Sequence, residues 1–183
     1  MTFKQATTAA IILAVNIAMT SILGVANAHN HEGEKPAMPG INVAALTLPE
    51  ITRGLEAGQF NSQDLTRAYL NRIATIGRSG PTLKAVVAVN SSAMKLAKKS
   101  DMLRAKGEAL SPLDGVPFLL KDNIESKDRM PTTAGSTALV DNMTGRDSPL
   151  VARLRASGAI ILGKTNLSQW ANFRSSHSVS GWS

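Results

Sequence analysis

Apolar residues in "SQDLTRAYLNRIATIG" recur three or four apart, at Leu65, Tyr69, Ile73 and Ile76, so they line one face of a helix. Asn61 or Ser62 is placed to cap it and Gly77 to stop it. Just before it, "LPEITRGLEAG" has the same amphipathic character, with Pro49 in the first turn and Gly58 as the stop. The period then changes. "LKAVVAVN" is a short β-branched run of the kind that forms a buried strand, followed by the helix "SSAMKLAKKSDMLRAKG", capped by Ser91 or Ser92. "GVPFLLKDNI" predicts a second strand, and "MPTTAGSTALVDNMTGR" a long excursion rich in Thr, Ser and Gly. A helix at "SPLVARLRASG" takes Ser148 as cap and Pro149 at its first position. "AIIL" is a third strand, and "LSQWAN" starts a further helix. Strands that alternate with helices imply a parallel, helix-covered sheet.

The amino-terminal end follows a different grammar. A single cation, Lys4, precedes an apolar stretch from Ile11 to Val25 and the small-x-small triplet Ala26-Asn27-Ala28, which together read as a secretory signal peptide over residues 1–28. Asn16, Thr20 and Ser21 interrupt the apolar run, whereas a membrane anchor needs about 20 consecutive apolar residues. Cleavage after Ala28 therefore leaves a secreted or periplasmic chain with no stable membrane span. A polar stretch with two prolines and two glycines makes residues 29–45 a flexible leader, and one domain portion follows over residues 46–183. The new terminus would carry His29-Asn30-His31. Its amine, two amide nitrogens and imidazole suit Cu(II) or Ni(II), although the same residues also read as a plain polar tail.

Charge and cysteine content narrow the class. The net charge of +7 falls to +6 once Lys4 is removed, and the surplus is scattered with no basic stripe or interleaved aromatics, which argues against a nucleic-acid partner. With 0 Cys, an exported chain must be held by its core alone. "GAIILGKT", from Gly158 to Thr165, has the spacing of a phosphate-binding loop. In such a loop the middle residues turn their N–H groups inward around phosphates, but Ala159 to Leu162 are apolar and largely β-branched, so they belong to a strand. No nucleotide and no cofactor is expected.

Lys121 ends the apolar run "VPFLLK", at the carboxyl end of a strand where open sheets present functional groups. A lysine desolvated there loses proton affinity and can act as a general base; a solvated lysine closing a strand is the plainer alternative. The blocks "SPLDGVPFLLKDNI", "MPTTAGSTAL", "DSPLVARLRASGAIILGKTNLSQWANFRSS" and "HSVSGWS" together resemble the front part of the amidase signature family, most closely its bacterial peptide-amidase-like branch, from about Leu48 to the last residue. That resemblance implies an α/β fold with a mixed, helix-covered sheet, incomplete over this length. It implies hydrolysis of carbon–nitrogen amide bonds in a peptide or small-molecule amide. It also implies a mechanism in which one serine attacks, a second serine in a cis peptide relays the proton, and a buried neutral lysine is the base. Lys121 matches that lysine, and "GKTN" matches a turn after a core strand, so Lys164 would only complete a turn.

The resemblance also implies what residues 1–183 lack. Both serines and the oxyanion donors lie, in longer relatives, in a Gly/Ser-rich segment after "GWS". Ser175, Ser176, Ser178, Ser180 and Ser183 sit in no Gly-Ser-Ser-Gly-like context, so none is assigned as nucleophile. This reading expects a catalytically inactive portion of an amidase, or an interaction protein, when the segment stands alone. Gln169 falls where relatives often carry an acid. Thr132, Thr133 and Ser136 belong to a block that approaches the cleft in the family, and also read as ordinary turn-forming hydroxyls. Asn166 is expected to bond its own turn. The sequons at Asn90, Asn142 and Asn166 matter only in a glycosylating host.

Overall fold

In a computed structural model of the chain, the structure describes residues 40–172. The expected signal peptide, the His29-Asn30-His31 terminus and the serines from Ser175 to Ser183 lie outside them. Among the described residues four α-helices and three strands follow in the order α1 (Leu48–Glu56), α2 (Ser62–Arg72), β1 (Val86–Val89), α3 (Ala93–Ala105), β2 (Pro117–Lys121), α4 (Pro149–Ala156) and β3 (Ile160–Thr165). Single 3₁₀ turns occur at Thr137–Leu139 and Gln169–Asn172. Among the described residues no helix is long and apolar enough to cross a membrane.

The helix starts follow the capping chemistry in the sequence. Asn61 accepts from the amide of Asp64 at 2.7 Å, and Ser148 from that of Val151 at 3.4 Å. α2 gains a second cap from Asp101 of α3, whose carboxylate accepts from the amides of Ser62 and Gln63 at 2.7 and 3.2 Å. Gly77 does not end this helix. Beyond Arg72 the chain widens into i→i+5 bonding through Ser79, and the Gly80 amide reaches the Thr75 carbonyl at 2.7 Å. "LSQWAN" gives only the 3₁₀ turn, because Trp170 and Ala171 adopt φ of 49° and 62° and cannot extend a right-handed helix.

The sheet is mixed, with order β1-β3-β2. β2 runs parallel to β3, as helix–strand alternation predicts, but β1 runs antiparallel to it. Tyr69 and Leu70 of α2 pack with Ala93 and Ala97 of α3 against Ile160 and Leu162. The other sheet face meets α4 and the excursion, where Val151, Met130, Leu120 and Ile161 form a second cluster. A third cluster joins α1 and α2 through Ile51, Leu55, Phe60 and Leu65 to Val116. It also takes in Val43 at 8% exposure, with Ile41 packed beside it, so these two apolar residues of the stretch expected as flexible leader, 29–45, are docked on the core.

Residues Ile160 to Leu162 are buried strand, so their spacing to Gly-Lys-Thr is coincidental to any phosphate loop. Gly163 continues that strand. A Cβ there would lie 2.4 Å from the Ala88 carbonyl oxygen, so β1 approaches closely only over a glycine. Gly158, which turns α4 into β3, has φ +85° and a Cβ there would meet the Asp114 backbone at 2.9 Å. Gly145 also has positive φ, +63°, but open space around it. Gly145→Ala is therefore expected to cost about 1 kcal/mol, the backbone term alone, and Gly158→Ala about 3 kcal/mol, since overpacking is added. Urea unfolding of both variants measures this, and equal losses would contradict the packing at Gly158.

Candidate active site

Two strands carry a lysine within their last two residues, and the sheet treats the two oppositely. Lys121 closes β2 and is exposed, while its neighbours Leu120 and Asp122 are buried at 3% and 2% exposure. It is paired with Thr165 and alternates with Leu119 and Pro117. Those two residues line an apolar cleft of about 410 Å³ with Tyr69, Ile73, Leu83 and Leu162.

Lys164, expected in a turn, is instead in β3 and has 0% exposure. The cause is a bulge. The β2–β3 register passes from Phe118↔Ile161 to Leu119↔Gly163, so Leu162 is an extra residue that reverses the alternation. Without it Lys164 would share the face of Ile160 and Leu162. With it, Lys164 pairs with Leu120 and turns toward the excursion. Its ammonium donates to the Ile124 carbonyl at 2.5 Å and to Thr132 Oγ1 at 2.9 Å. Among the described residues it forms no ion pair within 4.0 Å. Burial pushes its proton affinity below the ordinary lysine range, against the opposing fields of Asp122, Asp128 and Glu125.

Asp122 is the second anchor. Its carboxylate accepts from the Thr133 amide at 3.3 Å and from the Thr133 hydroxyl, while its carbonyl accepts from the Ala134 amide at 3.0 Å. Its own amide donates to Thr165 at 3.1 Å. Thr132 and Thr133 are thus more than turn formers: one holds Lys164, the other Asp122. Thr133 also accepts from the Gly135 amide at 3.1 Å, so the turn role expected of it is present as well. Ser136 is buried at 7% exposure in the same loop. Asn166 does bond its own turn, accepting from Leu167 at 2.8 Å, and also donates to the Lys84 carbonyl at 3.1 Å.

A further polar group lies beneath the excursion. Arg155 of α4 spans Asp128 and Asp147 at 2.9 and 3.0 Å, and Asn90 donates to Asp128 at 3.1 Å and to the Ile161 carbonyl at 2.8 Å. Asn90 is only 4% exposed, so its sequon is closed in the folded chain. Sequence reasoning missed the roles of Asp122, Asp128, Arg155 and Lys164. The available signal was an acid directly after Lys121 and a lysine separated from a buried run by one glycine.

For this α/β layer, with a lysine at the end of a strand and a Thr-rich loop behind it, the comparisons with known proteins agree on one class. The amidase family profile matches residues 64–181, and the chain belongs to the amidase family. The peptide amidase of Stenotrophomonas maltophilia superposes with a TM-score of 0.71 at 48% identity, over 76% of this chain and 28% of that one. A peptide amidase in complex with the competitive inhibitor chymostatin gives the same TM-score, identity and coverage. A probable amidase of Arabidopsis thaliana is 41% identical over 144 residues, 78% of this chain and 28% of its own length. The chain thus spans about a quarter of the length of the relatives it matches.

The buried lysine gives a pH signature. An unfolded lysine titrates near 10.5, and Lys164 titrates lower when folded, so between the two values the unfolded chain binds more protons. Stability contributed at this site is therefore expected to rise with pH through that window. Urea unfolding near pH 7 and near pH 10 (about) should show the parent gaining on Lys164→Met as pH rises. Parallel pH profiles would mean that the ammonium is not desolvated.

Proposed function

We propose that this segment supplies the general base of an exported amidase that hydrolyses peptide amides or small carboxamides by a Ser/cis-Ser/Lys mechanism. Lys121 is the base. The observation that carries this is its placement: the last residue of β2, exposed, with both sequence neighbours buried, within the matching "LLKDNI" block. A serine hydroxyl is a weak nucleophile, so attack on an amide carbonyl needs its proton removed through the bridging serine to a neutral amine. The tetrahedral oxyanion then needs backbone N–H donors, and the same relay returns the proton to the leaving nitrogen. A lysine becomes a useful base only once burial lowers its proton affinity. The covering groups, with both serines, are assigned to the Gly/Ser-rich segment that follows the "GWS" block in longer relatives.

Lys164 is the competing lysine on desolvation alone. It fails on access, since its 0% exposure and the two partners its ammonium already holds leave no approach for a serine hydroxyl. The peptide-amide substrate class rests on the likeness to peptide amidases, one of them bound to chymostatin. The reading of an inactive portion or interaction protein draws on the outer positions of β1 and β2 in the sheet, each with one edge unpaired among the described strands.

Two outcomes follow. Residues 29–183 alone should release no ammonia from peptide amides above background. In an amidase of relatives' length containing this segment, Lys121→Ala should lower the rate by roughly 10² to 10⁴-fold. An amide-release assay decides, and robust turnover by the segment, or an undiminished Lys121→Ala enzyme, would place the chemistry elsewhere. Export is checked separately: N-terminal sequencing of the secreted product should read His29, and a product beginning at Met1 would remove the signal-peptide assignment.

A further inference from the structure

We infer that Lys164 is a positioning residue for Lys121, fixing the turn that leaves β2 and the Thr132 loop in one arrangement; the inference rests on the reading of Lys121 as base. The turn is short and closed. The Ile124 amide donates to the Lys121 carbonyl at 2.9 Å, and the Ile124 carbonyl accepts from the Lys164 ammonium at 2.5 Å. Lys164 is therefore one residue-to-residue step from the backbone of Lys121. Its second bond, to Thr132 Oγ1, reaches the loop whose next residue, Thr133, is tied to Asp122. Lys121 is thus held from the β3 side by Lys164 and, through the amide of Asp122, by Thr165.

The chemistry of the acceptors supports a positional role. A buried ammonium bonded to a carbonyl and a hydroxyl, with no carboxylate of the described residues within ion-pair distance, keeps a desolvation cost that the more distant Asp122, Asp128 and Glu125 offset only in part. A side chain such as methionine would fill the same space without that cost, but would leave the Ile124 carbonyl and the Thr132 hydroxyl unheld. What the lysine adds is geometry: one group that reaches two loops from a rigid central strand, as a precisely held site requires.

The test is residue-resolved hydrogen exchange on the full 183-residue chain, with Lys164→Met, Thr132→Val and Thr132→Ser. Lys164→Met and Thr132→Val should speed exchange at the Ile124 amide by about tenfold, the effect of one lost hydrogen bond. The Ile160 amide, bonded to the Val116 carbonyl at the far end of β3, should stay within about twofold of the parent. Thr132→Ser, which keeps the acceptor, should restore the parent rate at Ile124. If Ile124 and Ile160 accelerate together, or Thr132→Ser behaves like Thr132→Val, Lys164 is packing only and the inference is overturned. Should Lys164→Met fail to fold, the two Thr132 variants decide the matter by themselves. The readout contains no catalysis, so a failure here leaves the base assignment standing, and an active Lys121→Ala enzyme removes that assignment without altering the exchange result.

Discussion

A single buried ammonium joins the parts of this segment that are otherwise separate in sequence. From β3, Lys164 reaches the turn after β2 at Ile124 and the excursion at Thr132, positions 40 and 32 residues away. Asp122 makes the complementary tie from the other end of the turn, to Thr133 and Ala134. These contacts fix the start of the Thr/Ser/Gly-rich excursion, whose apolar contribution to the cluster beneath it is chiefly Met130 and whose later part is tied by Thr144 to Ser126 and by Arg146 to Glu125. Thr132 and Thr133 can be buried at the start of the excursion because their polar groups find partners, in keeping with the rule that interior polar groups are bonded.

That arrangement divides the two faces of the sheet by function. On one face helices α2 and α3 cover Ile160 and Leu162 with small and apolar residues. On the other, α4 shares the cover with the excursion, which polar ties and the Arg155–Asp128–Asp147 group hold in place. Lys121 stands at the end of β2, supported from behind and exposed in front. Lys121 is thus carried on the end of a strand, with its backing supplied by a bonded loop, in a stretch that matches 28% of the length of the amidase relatives.

Much of this was legible in the residues. Caps at Asn61 and Ser148, the stop at Gly58 and the strands of "VVAV", "PFLLK" and "IIL" follow from local chemistry, and so does the rejection of "GAIILGKT" as a phosphate loop. Other features depend on pairing and lie beyond a single strand's pattern. The antiparallel setting of β1 is a property of the sheet, and the bulge at Leu162 exists only relative to Phe118 and Leu119. That bulge is why Lys164 looked like the start of a turn: a glycine and a lysine after an apolar run ordinarily leave the core. Thr132 and Thr133 read as turn hydroxyls for the same reason, because their partners, Lys164 and Asp122, are distant in sequence. The role of Lys121 came from resemblance; its position at the strand end came from the pattern.

The central claim is that Lys164 and Thr132 act as one interaction, and a double-mutant cycle measures it directly. Urea unfolding of the parent, Lys164→Met, Thr132→Val and the double variant gives the coupling energy between the two side chains. For a buried hydrogen bond to a charged donor the account predicts coupling of about 1.5 to 3 kcal/mol, the double variant losing much less than the sum of the single losses. Additive losses, with coupling below about 0.5 kcal/mol, would contradict it and show that the two residues contribute independently.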